Sequence, residues 1–418
     1  MTKIFRTAAV LVLALLTLGL CGCANYIDLA DRAIVQAIGI DYLPDKKAYR
    51  ISMQYFNQSS EGGQNQIDKT QDNVLKSVGE GDNVFSAAKN ASLLTGKDLL
   101  LSENRLIIIG KELRKYDLEQ TMEFFIGNFH SHPQAYVAAA ENTAEELLDI
   151  RFKEGSTSSQ RLSDLIRNAA SEGRCRYSYP YQVMTMLCTG TRSAFLPLLK
   201  AAELETDVTI PKQSGNDSGK DGKEQSKNSE TTIILDGGIV FRDGVELFSA
   251  DAEVSTVVFF LTDRISEYSF TVPLEKYAKP SVTLNDISRN ITVTEKDGEV
   301  TFNVFLKASG KIGSRGNINE GDITAVRAVT ETAEKELERI VENSVISVAG
   351  KGCDVFGLEN ALRRCCNKFY NENKDRIGGG DRRQRLQREC RYRYILTRTQ
   401  HGITKRDCDT ILQLIKLH

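Results

Sequence analysis

The chain has 418 residues, a formal net charge of −2, 41% apolar and 26% charged side chains, and no tryptophan. That length is more than one core usually supports, so two or three domains are expected, and the charged and apolar fractions are those of a globular body. A net charge so close to zero argues against a general nucleic-acid binder, which needs a basic surface.

Lys3 and Arg6 precede an apolar run, Ala8 to Leu20, that breaks into Leu20-Cys21-Gly22-Cys23. A short basic segment, about a dozen apolar residues and a small-residue cleavage site make a secretory signal, since a membrane span needs roughly 20 apolar residues. Gly22 followed by Cys23 resembles the lipobox of bacterial lipoproteins. That resemblance implies removal of residues 1–22 and lipid attachment at Cys23, as an N-palmitoyl, S-diacylglycerol cysteine. Cys21 is the poorer acceptor, because Leu20 would then hold the small-residue position. The alternative is a plain signal peptide with two incidental cysteines. One acyl chain anchors only marginally, but each buried methylene adds about 0.8 kcal/mol, so two or three chains hold a protein stably on a bilayer. No later apolar run reaches spanning length, and the mature chain is expected to lie outside the cytoplasm.

From Ala33 to Asp41 the chain is almost continuously apolar, Pro44-Asp45-Lys46 turns it, and Tyr49 to Phe56 alternates in the manner of a half-buried strand. An antiparallel hairpin opening a sheet is expected, followed by a polar loop from Asn57 to Asp72. The spacing predicts a helix over 82–94 with Val84, Phe85, Ala88, Ala91 and Leu94 inward and Gly96 as its stop. Arg105 to Ile109 is a buried strand. Leu118 to Phe129 is a helix with Leu118, Met122, Phe125 and Ile126 on one stripe. Gln134 to Ala140 is a strand, and Thr143 with Glu146 offers a capping box for the helix that ends at Ile150.

After Pro211 the chain carries no apolar side chain as far as Glu230, and such a stretch is expected to stay disordered as a spacer or loop insertion. Beyond it, 232–235, 238–241 and 245–248 are strands joined by the turns Asp236-Gly237 and Arg242-Asp243-Gly244. Ser255 to Leu261 is expected as a buried strand, and Ile287–Thr294 with Val300–Leu306 as a hairpin. A long helix follows over 322–348, striped by Val326, Val329, Ala333, Leu337, Ile340, Val341 and Val345.

Nine cysteines without repeated spacing do not make a disulfide scaffold, and adjacent Cys365-Cys366 suit neither a redox pair nor a zinc knuckle. His130-Ser131-His132 lacks a third ligand nearby and is better taken as a surface turn before Pro133 than as a metal site. No Gly-x-Ser-x-Gly elbow, histidine triad context or phosphate cradle is present, so no catalytic residue, cofactor or metal site is assigned.

Four blocks in order carry a wider resemblance. They are Leu29-Ala30-Asp31-Arg32-Ala33-Ile34-Val35-Gln36-Ala37-Ile38-Gly39-Ile40-Asp41; Arg105 to Leu113 continuing to Pro133-Gln134-Ala135-Tyr136-Val137; Gly238 to Gly244; and Asp354-Val355-Phe356-Gly357-Leu358. With the lipobox they resemble the Ger(x)C lipoproteins, the C subunits of bacterial spore germinant receptors, over most of the chain from Cys23 to Lys368. Many members carry Trp-Asp after the lipid cysteine, where Ala24-Asn25 stand here. The end, 376–418, is Arg-rich instead of aromatic-rich, through either divergence or a reading-frame change.

The resemblance implies a non-enzymatic subunit, on the extracytoplasmic face of the spore inner membrane, that assembles with A-type and B-type membrane subunits and serves signalling in germination. The expected fold is a multi-domain α+β (mixed α/β) lipoprotein, with mixed sheets and packed helices, then an antiparallel sheet with a long amphipathic helix. The expected divisions are a signal peptide at 1–22, an N-terminal domain at 23–205, a polar linker at 206–231 and C-terminal domains at 232–418. A lipid-anchored solute-binding protein associated with a transporter is the alternative. It requires a polar and aromatic cleft between two lobes.

Overall fold

The computed structural model describes residues 4–6, 31–56, 74–116, 118–127, 131–152, 156–205, 229–263, 265–296, 298–319, 321–378, 396–398 and 415–417. Cys23, the polar loop after Asn57, His130, the stretch from Pro211 and most of the Arg-rich end lie outside them.

A nine-stranded sheet organises the first part. β1 (Arg32–Leu43) is its spine. It pairs antiparallel with β2 (Ala48–Phe56), which pairs with β3 (Val74–Gly81). On its other side β1 runs parallel to the short β4 (Asp98–Leu100) and then to β5 (Leu106–Ile109). β6 (Tyr136–Ala140) and β7 (Ser193–Glu205) extend the parallel portion. β8 (Ser229–Arg242) and β9 (Val245–Ala250) close the sheet as an antiparallel meander.

The parallel strands are joined by helices, which cover both faces. Successive side chains of β5 therefore enter different cores. Ile107 and Ile109 pack with α1 (Val84–Thr95), α2 (Leu118–Gly127) and α5 (Pro180–Leu187). Leu106 and Ile108 pack with α3 (Ala144–Asp149) and α4 (Ser158–Ser171). Asn83 starts α1, its side chain accepting from the Ser86 amide at 2.8 Å, and Gly96 ends it at φ 66°. Two expected core positions of α1, Phe85 and Leu94, are instead exposed, as is Ile126 of α2. In α1 the buried stripe is Val84, Ala87, Ala88, Ala91 and Ser92, small residues that let the helix lie close to the strands and leave the larger side chains outside.

The run Ser255 to Leu261 is not a strand. It lies in α6 (Ala252–Thr262), whose residues from Val254 to Leu261 are all buried. A helix that is apolar all round has no amphipathic period to reveal it, and its surroundings explain the composition. α6 touches β8 on one side and elements of the second sheet on the other. Asp251 caps it, accepting from the Val254 amide at 2.9 Å.

The second sheet has the order β10–β11–β12–β14–β13, with β10 (Ile265–Thr271), β11 (Ser281–Lys296), β12 (Glu299–Ser314), β13 (Leu396–Arg398) and β14 (Ile415–Leu417). Every pairing in it is antiparallel. α7 (Ile323–Ala349) shares its core through Ala325, Val329, Ala333, Leu337, Ile340, Val341 and Val345, and is capped by Asp322, which accepts from Ala325 at 2.9 Å. α8 (Leu358–Cys365) and α9 (Asn367–Gly378) complete this part. Among the described residues no helix is long and apolar enough to cross a membrane. The whole is α+β, a mixed sheet followed by a separate antiparallel one.

The polar stretch does not separate the two sheets. β7 and β8 on either side of residues 206–228 pair from Ser193↔Arg242 to Glu205↔Ser229. The segment links neighbouring strands of one sheet, and the second sheet begins only at β10.

Candidate functional site

Cys23, the one residue assigned chemistry from sequence, lies outside the described residues. The four sequence blocks lie within the described residues from Asp31 onward and hold the fold together at its joints. Asp41 ends the first block. Its carboxylate accepts from the backbone amides of Ala144 at 2.8 Å and Glu145 at 3.1 Å, and the Thr143 hydroxyl accepts from Glu146 at 3.2 Å. The first amides of α3 are thus satisfied by a side chain 103 residues away, together with the local cap. Gly110 of the second block is required there, because a Cβ on it would overlap the Asp41 carboxylate. Burial pushes the Asp41 carboxyl above its ordinary value, against the two amides that hold it down. In the third block Asp243 and Gly244, at φ 54° and 79°, make the tight turn between β8 and β9.

Asp354 of the fourth block repeats the device. One oxygen accepts from Phe356 and Leu358 at 3.0 Å each, and the other from Glu359 at 2.7 Å, which caps α8. Burial raises this carboxyl too, and the three amides oppose the shift. Its own amide donates to the Ser193 hydroxyl at 3.2 Å, at the start of β7. The buried Glu359 binds the same segment, accepting from the Thr191 amide at 2.7 Å, while its other oxygen accepts from the Tyr370 hydroxyl at 2.7 Å. Burial and that carboxylate push the Tyr370 hydroxyl up to about 12. A Cβ on Gly190 would overlap Glu359, so glycine lets the two parts close.

Beside this junction lies a cleft of about 750 Å³. Arg176, Tyr181, Gln182 and Met186 line it from the first part, and Arg289, Asn290, Asn360 and Arg364 from the second. Arg289 donates to the carbonyls of Thr262 and Asp263 at 2.7 Å each, at the C-terminal end of α6 where a cation suits the helix dipole. Arg176 is half-buried and its Nη1 reaches the Met186 sulfur at 3.7 Å. Burial lowers its pKa, Asp263 opposes that shift and Arg289 adds to it. Tyr136, Tyr177, Tyr179 and Tyr181 form a contiguous aromatic array beside it, with ring centroids 5.4–6.0 Å apart. Sequence reasoning passed over this region. The signal was there in Arg174-Cys175-Arg176-Tyr177-Ser178-Tyr179-Pro180-Tyr181, where basic and aromatic residues interleave before a helix start.

The other sequence candidates are not brought together. His132 lies in a turn, its Nδ1 accepting from the Gln134 amide at 3.1 Å. Cys175 is buried and its thiol is pushed up to about 12, an inert state, while Cys365 is exposed at the end of α8. Among the described residues no group of three or more His, Cys, Asp or Glu side chains could hold a metal ion.

The two-sheet α+β body with its capped joints has known relatives. Residues 25–201 match the spore germination protein N-terminal domain, and residues 236–376 match the spore germination B3/GerAC-like C-terminal domain. The chain therefore belongs to the GerAC-type family of spore germination proteins. Spore germination protein KC of Bacillus subtilis (strain 168) is 23% identical over 368 residues, which cover 85% of this chain and 86% of that one. A solved structure titled "Crystal Structure of the GerBC protein" superposes with a TM-score of 0.43 at 14% identity, covering 81% of this chain and 90% of that one.

Proposed function

We propose that this chain is the lipid-anchored, non-enzymatic C subunit of a spore nutrient-germinant receptor, required for the receptor's assembly and signalling. The observation that carries this reading is the match to both family domains, in order, over 25–201 and 236–376. The lipobox supports the anchor: cleavage before Cys23 would leave an N-palmitoyl, S-diacylglycerol cysteine eight residues ahead of Asp31. The body would then stand at the extracytoplasmic face of the spore inner membrane, beside A-type and B-type membrane subunits. A non-catalytic role agrees with the buried carboxylates, since Asp41 within the first part and Asp354 and Glu359 at the junction are each occupied by backbone amides or a tyrosine hydroxyl.

One observation favours the alternative of a solute-binding protein, namely the cleft between the two parts. The second part is nevertheless an antiparallel sheet with a long helix, unlike the second doubly wound lobe that such proteins close over a solute.

The test is germination of spores lacking the gene, complemented by wild type or by Cys23→Ala, with a non-nutrient trigger as control. The expected outcome is loss of one nutrient response, restored only by the form that can be lipidated. Deletion spores with intact receptor assembly and nutrient response would sink the reading. Persistent fatty-acid labelling of Cys23→Ala would refute the anchor alone.

A further inference from the structure

We propose that the cleft between α5 and β11 binds a small organic monocarboxylate, anchored by the guanidinium of Arg176. The cleft is of ligand size, about 750 Å³, and its walls come from both parts of the molecule, the setting in which small-molecule sites form. Its charged groups differ in how fully the protein satisfies them. Arg289 holds two carbonyls, Asp354 holds three amides, and Glu359 holds an amide and a hydroxyl. Arg364 is exposed to solvent, and Arg176 is the half-buried cation that remains. Its Nε is enclosed and has no acceptor among the described residues, and its Nη1 meets only the weakly accepting sulfur of Met186. A guanidinium keeps its charge, so a half-buried one that lines a cleft favours an anion there.

The class of anion follows from the shape and the charge around it. The planar fork of arginine matches a carboxylate with two parallel hydrogen bonds. Asp354 and Glu359 stand in the same walls, and Asp263 lies within electrostatic reach of Arg176. Against the lining guanidiniums of Arg176, Arg289 and Arg364 these carboxylates leave little net positive charge, which favours a monocarboxylate over a phosphate dianion. Asn290 and Asn360 also line the cleft, and their amides suit a hydroxyl or carbonyl substituent. Since both parts contribute contacts, a bound carboxylate would also tie the first sheet to the second.

Met186 supplies a built-in reporter. In the full-length protein labelled with [methyl-13C]methionine, the Met186 resonance sits against Arg176 at the edge of the first sheet's core, whereas Met53 and Met122 are fully buried within that core. Titration with sodium lactate and sodium acetate is expected to shift Met186 saturably, with half-saturation at roughly millimolar concentration, as suits a fragment held by one charged fork. Lactate should bind more tightly through its hydroxyl, and Met53 and Met122 should not move. Arg176→Gln should weaken the response about tenfold or more, with the Met53 and Met122 resonances certifying the fold. Thr292→Trp, which narrows the cleft from β11 without altering Arg176, should weaken it as well. No shift of Met186 up to about 50 mM carboxylate, an equal shift in Arg176→Gln, or an equal shift with chloride or inorganic phosphate would each overturn the proposal.

Discussion

The two sheets present different burial patterns along their strands, and the difference follows from what covers them. In β1 every residue from Ala33 to Asp41 is buried, and β5 is buried throughout. In β11 buried and accessible positions alternate over most of its length, as at Val282 and Leu284 or Ile291 and Val293. Helices lie on both faces of the first sheet, whereas α7 shares a core with only the inward residues of the second. The continuous apolar runs of β1 and β5 therefore mark strands with two covered faces, and the alternating burial of β11 marks a strand with one. The largest test of this contrast is substitution at neighbouring positions. Ile107→Ala and Ile108→Ala should each cost about 2–5 kcal/mol, although they point opposite ways. On β11, Ile291→Ala should cost a similar amount and the exposed Thr294→Ala less than about 0.5 kcal/mol, measured by denaturant unfolding. A mild effect of either isoleucine on β5 would mean that one face of the first sheet is open.

The same contrast explains what the sequence revealed. β1 and β5 were legible because burial on both faces leaves an unbroken apolar run, whereas β2 alternates in sequence yet is covered on both faces, with Ser52 and Gln54 enclosed. α7 was legible because its stripe persists over 27 residues. α6 misled because the run from Val254 to Leu261 is buried on every side, and only its position between two sheets distinguishes it from a strand. Phe85 and Leu94 misled because the strands accept alanines on α1 rather than bulk.

The junction was less legible, since its partners lie far apart in the chain. Thr191 meets Glu359 across 168 residues, and nothing local marks Gly190 as the glycine that admits the carboxylate. Gly190→Ala should destabilise by about 1–3 kcal/mol through overpacking. Glu359→Ala should cost a similar amount, because it leaves the Thr191 amide and the Tyr370 hydroxyl without their acceptor. The double variant should cost clearly less than the sum, since removing the carboxylate makes room for the new methyl. Additive costs would show that Gly190 is there for another reason.

Residues 206–228 offer a smaller effect. The sequence marked this segment as a boundary by composition, but composition cannot say whether the flanking strands pair. They do, at Glu205↔Ser229. Replacing 206–228 by a two-residue Asn-Gly turn should leave the fold intact and add up to about 2 kcal/mol, from the roughly 0.6 kcal/mol that each halving of a flexible loop contributes. Loss of stability on shortening would mean that the segment itself makes contacts the body needs.

The smallest effect carries the most diagnostic sign. Asp41 and Asp354 cap helices that belong to different sheets, and in both burial raises the carboxyl while backbone amides lower it, burial being the larger cause. A carboxyl raised on folding binds its proton more tightly in the native state than in the unfolded chain. The stability it contributes is therefore fully present below the ordinary value of 3.8 and is lost as pH rises through the native value. Asp354→Asn keeps one acceptor, enough for the Phe356 and Leu358 amides but not for Glu359 as well, and it cannot titrate, so its cost is a flat reference. Between pH 7 and pH 4, wild type should gain stability relative to Asp354→Asn as pH falls, in urea unfolding followed at several pH values. A carboxylate held below its ordinary value would give the opposite slope, and a well-solvated one no slope. The opposite slope would mean the three amides outweigh burial, and that the cap of α8 is strongest when charged.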